Sequence, residues 1–439
     1  MKYMLSAITL ILLSSVTAVI PDNVTEFTLS NGIPVISRTV DNNRIEGLSL
    51  FITGGSSALT EETQGLERFA LECAMMGSED YPGPRWREMM DRTQAEWTSN
   101  FNYDYTRYHL KCISRDLPGL LNAFGDCLLN PELDPEAVSQ VRTKTVHDIQ
   151  QKYNDPDSWI WYVANDAFMP GHTYRRLPDG TVETVEGFTD EDVLDILNRR
   201  IRSGNLLITH AGPTSPEELR AVLEEAFGAI PEGGQEYPEI EPFQVSSDTM
   251  AVQHRDVASA YAVVKFNAPP QGHPDQLPFS AAMRVISDRL WQVLRTENAL
   301  TYATYSGSTT YRENWGYMYV SSPKPLEACS LMAGVMRNAI EEPLDDYIVR
   351  GTVEKTVTLM NMRAASKSDQ CWMMGSYQIA TGDWRNAFTE IDNLSEVTSQ
   401  ELSDVLGKWI DNGAWGIIAD TTAIDADRLD PWTLEQEMM

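Results

Sequence analysis

Gly65-Leu66-Glu67-Arg68-Phe69-Ala70-Leu71-Glu72-Cys73-Ala74-Met75-Met76-Gly77-Ser78 is the stretch on which the reading of this chain turns. It predicts a helix from Gly65 to Met76. On such a helix Arg68 and Glu72 stand four residues apart and share one face. The strand-like run Leu48-Ser49-Leu50-Phe51-Ile52 precedes it, closed by Gly54-Gly55.

Working outward, the stretch sits inside a unit that occurs twice. The first copy opens with Val24 to Leu29, an Asn31-Gly32 turn and Val35 to Arg38, all strand-like. After the helix, Trp97 to Ile113 alternates as a hairpin would around Asn102. Asp116 to Leu129 and Asp134 to Tyr153 follow as paired helices, the second carrying His147 and Asp148. The second copy repeats this order. Ala260 to Phe266 is the strand, Asp275 to Arg295 the helix, Leu300 to Ser321 the hairpin. Leu326 to Ile340 and Leu344 to Lys367 are the helix pair. The hairpins are displaced by a little over 200 residues, which marks domain duplication and not a short-period solenoid. The Pro/Gly/Glu-rich stretch 231–245 reads as the linker between units 19–230 and 246–439.

The chain has 439 residues, 42% of them hydrophobic, which supports more than one core. Met1-Lys2-Tyr3-Met4, the apolar run Leu5 to Ile20 and the small residues Val16-Thr17-Ala18 predict a secretory signal peptide over 1–18. The run is too short to span a bilayer, so no stable membrane anchor is expected after cleavage, and the expected location is periplasmic or secreted. Five cysteines without a CxxC pair read as buried thiols with at most a bridge or two. The net charge of −30 repels nucleic acid. Walker, dinucleotide-glycine and G-x-S-x-G patterns are absent.

The chain resembles the pitrilysin/insulinase family of zinc peptidases, which includes mitochondrial processing peptidase and the core proteins of the respiratory cytochrome bc1 complex. Gly65, Phe69, Ala74, Gly77 and Ser78 match the frame of the family's inverted zinc-binding helix. Phe168 to Tyr174, Gly180-Thr181, Arg202-Ser203-Gly204-Asn205 to Gly212, and Phe227-Gly228 resemble later segments. Leu294-Arg295-Thr296-Glu297-Asn298-Ala299-Leu300-Thr301-Tyr302 resembles a second-unit motif, with Arg and Tyr seven residues apart. The resemblance covers nearly all of the chain after the leader. It implies an α+β fold of two homologous units, each an antiparallel sheet backed by helices.

The family's zinc chemistry needs H-x-x-E-H on that helix. Two imidazoles at i and i+4 reach one zinc, and the glutamate between them acts as base. Here Arg68 and Glu72 take the histidine positions and Leu71 takes the base position. Asp148, 76 positions after Glu72, takes the place of the third ligand. A guanidinium cannot ligate, and carboxylates without imidazole suit zinc poorly. The simplest replacement is an ion pair of Arg68 with Glu72 or Asp148. No two of the six histidines stand at i, i+3 or i+4, so no other metal site is expected.

The resemblance implies that Arg295 and Tyr302 project into a chamber for extended peptides. There they would hydrogen-bond substrate backbone and meet developing negative charge. The expectation is a non-catalytic, substrate-binding subunit that holds no cofactor of its own, paired with a homologous zinc-binding peptidase subunit. The alternatives are a structural core-type subunit without proteolytic role, or a peptidase with a non-standard metal site.

Overall fold

The computed structural model describes residues 21–235, 239–243, 245, 247–394 and 397–422. The signal peptide over 1–18, parts of the linker and the last residues of the second unit lie outside the described residues.

The first half runs β1 (Val24–Thr28), β2 (Pro34–Thr39), β3 (Ile45–Thr53), α1 (Leu66–Ala74), α2 (Gly83–Thr93), β4 (Glu96–Phe101), β5 (Tyr105–Ile113), α3 (Leu117–Leu129), α4 (Pro135–Asn154), α5 (Pro156–Phe168), α6 (Val182–Gly187), α7 (Asp190–Arg200), β6 (Leu206–Gly212) and α8 (Pro216–Phe227). The second runs β7 (Thr249–His254), β8 (Ala260–Asn267), α9 (Gln276–Leu290), β9 (Ala303–Ser308), β10 (Trp315–Ser322), α10 (Pro325–Glu341), α11 (Asp346–Ala364), α12 (Lys367–Thr381), α13 (Asn386–Leu394), α14 (Ser399–Trp409) and β11 (Ala414–Ala419). Among the described residues no helix is long and apolar enough to cross a membrane.

Local chemistry sets the boundaries. In the β4–β5 hairpin the Asn102 side-chain oxygen accepts from the backbone N–H groups of Asp104 and Tyr105, both at 2.9 Å. Asp134 caps α4 by accepting from Ala137 N at 2.9 Å, with Pro135 in the first turn. The helix expected over 344–367 is α11, which ends at Ala364; the Ser366 side chain then accepts from Asp369 N and starts α12, a helix the sequence reading did not give. One helix differs from the sequence expectation. The helix expected to reach Arg295 leaves α-geometry after Leu290 and continues as a π-helical stretch, Trp291–Glu297.

The first sheet has six strands in the order β1-β2-β6-β3-β5-β4, and the second has five, β7-β11-β8-β10-β9. Each is antiparallel but for one parallel pair, β2 with β6 and β7 with β11. One face of each sheet packs on its own helices. Leu48, Leu50, Ile52 and Ile208 meet Phe69, Leu121 and Leu223 in the first core. Val264, Phe266 and Met318 meet Phe279, Met332 and Leu406 in the second.

The other faces are covered by exchange. Helix α5, from the first half, lies on the second sheet, where Ile160, Val163 and Ala164 pack on Val263, Tyr319 and Ile418. Helix α12, from the second half, lies on the first sheet, where Met374 meets Ile36, Phe51 and Leu207. The α5 contact is close enough to require glycine at 416, since a Cβ there would lie 2.5 Å from Ala164 Cα. All five cysteines are buried and unbridged. Burial pushes the Cys73 thiol up to about 12, so it remains a protonated, unreactive group.

Candidate functional site

Helices α1 and α4 bring the four emptied zinc-site positions to one end of the first core. Helix α1 is held there by the residue that caps its start. Gly65 has φ 85°, and a Cβ on it would lie 2.6 Å from Gly180 Cα. The 177–184 segment is tied to the same point, with Leu177 N donating to Gln64 Oε1 at 3.0 Å and Thr184 Oγ1 to Gln64 O at 3.0 Å. That contact sets Asp179 beside Arg68.

Arg68 is the hub. Its side chain is 12% exposed, and its Nε lies 3.1 Å from Glu72 Oε1 and its Nη2 3.6 Å from Asp148 Oδ2. Its Nη1 also donates to Asp179 Oδ1. Lys152 donates to the other oxygen of Asp179, and Lys144 Nζ lies 3.2 Å from Asp148. Arg68 therefore pairs with both carboxylates named from the sequence and with a third that sequence reading missed. Burial alone would lower the Arg68 pKa, but the charges of Glu72 and Asp179 outweigh it and hold it above the ordinary value. Burial alone would raise the Asp179 carboxyl, but Arg68 and Lys152 draw it below the usual range. Leu71 is buried in the first core and offers no base.

The donor set does not fit zinc. The guanidinium stands among the three carboxylates, at hydrogen-bond or ion-pair distance from each, and no imidazole joins them. A metal would have to displace a cation that the same carboxylates stabilise. Among the described residues no group of three or more His, Cys, Asp or Glu side chains is placed to hold a metal ion.

Two further polar constellations escaped the sequence reading. Glu67 beside the hub is fully buried and pairs with Arg200 at 2.7 Å, and Thr106 donates to it at 2.6 Å. Ser37, His210 and Glu46 form a hydrogen-bonded line, Ser37 Oγ to His210 Nδ1 at 2.9 Å and His210 Nε2 to Glu46 Oε2 at 2.8 Å. The residue types are those of a hydrolytic triad, but all three are sealed from solvent. They reach no substrate and serve the sheet.

In the second unit Arg295 lies in the π-helical stretch and Tyr302 just before β9. The structure brings them together. The Arg295 guanidinium carbon stands 4.3 Å from the Tyr302 ring centroid, and its Nη1 donates to Thr301 O at 3.0 Å. Tyr302 is 82% exposed. π-Helical turns such as Trp291–Glu297 are frequent at functional sites.

The fold and this site define a duplicated α+β protein built on the peptidase plan, with an ion cluster where the metal would be. Comparison with known proteins agrees. Residues 35–174 match the family described as Insulinase (Peptidase family M16), and residues 187–355 match the Peptidase M16 inactive domain. The chain belongs to the peptidase M16 family. Cytochrome b-c1 complex subunit 1 of Rattus norvegicus is 21% identical over 262 residues, 59% of this chain and 54% of the relative. The chain thus spans about half the length of that relative. Mitochondrial-processing peptidase subunit beta of Dictyostelium discoideum is 19% identical over 399 residues, 86% of this chain and 84% of the relative. The solved peptidase M16 inactive domain from Pseudomonas fluorescens superposes with a TM-score of 0.83 at 15% identity, covering 90% of this chain and 98% of that one.

Proposed function

We propose that this chain is the non-catalytic, substrate-binding subunit of an exported heterodimeric zinc peptidase. The observation that carries the reading is the Arg68 cluster, in which a paired guanidinium replaces the metal ligands. The partner would be a homologous subunit with intact H-x-x-E-H, whose two histidines would hold a zinc that supplies Lewis-acid chemistry at the scissile carbonyl. Two relatives are by name subunits of larger assemblies, which supports a homologous partner. The leader over 1–18 supports a periplasmic or secreted location.

In this reading Arg295 and Tyr302 are the chain's contribution to peptide. Arg295 supplies a permanent positive charge and Tyr302 an O–H donor where negative charge develops at the partner's site. Their stacking holds the guanidinium against an exposed ring and limits its rotamers.

Co-expression with an intact H-x-x-E-H relative should give a complex that cleaves extended peptides. In that complex Arg295→Ala or Tyr302→Phe should lower turnover by about 10²–10³. Unchanged turnover in both variants overturns the proposal. The similarity to a cytochrome b-c1 complex subunit favours a second reading, a structural subunit without proteolytic role. Purification with a membrane respiratory complex, together with no effect of either variant, would select it.

A further inference from the structure

The second unit has its own version of the place where Arg68 sits. Helices α9 and α11 follow β8 and β10 as α1 and α4 follow β3 and β5. Between α9, β9 and α11 lies a cavity of about 360 Å³. Its α9 wall carries Arg284 and Asp288, spaced i and i+4 like Arg68 and Glu72. Its α11 wall carries Thr352 and Lys355, and Ser308 and Tyr317 contribute from the sheet.

The charge balance is opposite to that of the first unit. Arg68 is met by three carboxylates. Among the described residues the side chains of Arg284, Lys355 and the neighbouring Arg363 make no ion pair or hydrogen bond. One carboxylate, Asp288, faces this group, and it accepts from Thr352 Oγ1 at 3.4 Å. Burial lowers the Arg284 pKa and the charge of Arg363 lowers it further, with Tyr317 opposing them only in part. Such an unpaired cluster is conspicuous on a chain of net charge −30. It is lined by hydroxyl groups and so offers neutral donors beside the cations.

We propose that the cavity bounded by Arg284, Lys355 and Tyr317 is a carboxylate-binding subsite, and that it takes an acidic residue or the C-terminal carboxylate of an extended peptide. The choice of a peptide as carrier rests on the peptide-binding reading above; the carboxylate chemistry does not. A polyanion such as nucleic acid is disfavoured by the charge of the rest of the molecule.

The test uses the full chain without a partner, so it does not depend on cleavage. A fluorescent, C-terminally amidated peptide with one Glu is titrated beside its Gln counterpart and beside the Gln peptide with a free C-terminus. At least one carboxylate-bearing peptide should bind about tenfold more tightly than the neutral one. Arg284→Gln and Lys355→Gln, separately and together, should erase that preference, while Lys324→Gln, at an exposed lysine paired with Glu327, should leave the ratio unchanged. Near-ultraviolet circular dichroism confirms that the exposed-site variants remain folded. Equal binding of all three peptides overturns the subsite while leaving peptide binding intact. Loss of all peptide binding overturns both. Binding of inorganic phosphate that Arg284→Gln abolishes, with no carboxylate preference among peptides, also overturns it in favour of a free-anion site.

Discussion

The Nε of Arg68 lies 3.1 Å from Oε1 of Glu72, one turn along α1. The same guanidinium reaches Asp148 on α4 and Asp179 in the loop held by Gly65. Removing Arg68 leaves Glu72 without its cation and leaves Asp148 and Asp179 to Lys144 and Lys152 alone. Arg68→Ala should destabilise the fold by about 3–5 kcal/mol, the range for breaking one side of a buried ion pair. Urea denaturation checks this; a midpoint equal to that of the unaltered chain contradicts it.

Restoring imidazoles should restore metal. Arg68→His with Glu72→His places two ring nitrogens at i and i+4 toward the Asp148 carboxylate. The double variant should bind zinc at one equivalent after dialysis, measured by atomic emission, and the unaltered chain should not. It should remain inactive on peptides, because Leu71 still stands where the base belongs. Activity in the double variant would show that the base comes from elsewhere.

Asp179 sets an acid limit on stability. Its folded pKa lies below the usual value because Arg68 and Lys152 outweigh burial. A depressed carboxylate stabilises the fold above its unfolded pKa, about 3.9, and that stabilisation is lost as pH falls through the folded value. Asp179→Asn should therefore unfold at lower urea near neutral pH. Its stability should also fall less steeply below about pH 5. Parallel curves for the two proteins would rule this out.

Lys265 acts in a higher pH window. It is fully buried on β8, hydrogen-bonded to Asn165, with its Nζ 4.8 Å from the Trp315 ring. Burial lowers its pKa to about 7. The unfolded chain then binds more protons than the folded one between about pH 7 and pH 10, so stability should rise with pH across that window. Lys265→Met should remove the rise and be neutral or stabilising near pH 7. A rise that persists in the variant would place its source elsewhere.

The exchanged helix α5 can be tested at its closest contact. Gly416→Val puts a side chain into the 2.5 Å gap beside Ala164. It should cost about 1–3 kcal/mol or more through overpacking. Thermal unfolding reads the loss, and an unchanged Tm would mean that α5 gives way easily.

How much was legible in the sequence depended on the distance over which each feature is decided. The α1 helix, both hairpins and the duplicated order rest on turn residues and alternation within about a dozen positions, and they were readable. The Arg68–Glu72 pair was readable for the same reason, being one turn apart. The strand-to-helix order also exposed the emptied zinc positions and the Arg295–Tyr302 motif through family resemblance. The choice between Glu72 and Asp148 as partner of Arg68 was not readable, and the structure's answer includes both.

Asp179 joins Arg68 across 111 residues, and His210 meets Ser37 across 173. Neither spacing carries a periodic signal, because each contact exists only once loops and strands have been laid side by side. The exchange of α5 and α12 is of the same kind. Both helices are apolar on the face that meets a sheet, but nothing local says which sheet. The sequence by itself determined the helices, the hairpins and the loss of zinc ligands, since those follow from residue type and short-range geometry. Only the tertiary structure decided which charges neutralise Arg68, which cations of the second unit stay unpaired, and which half covers which sheet. Those outcomes depend on burial and on long-range packing.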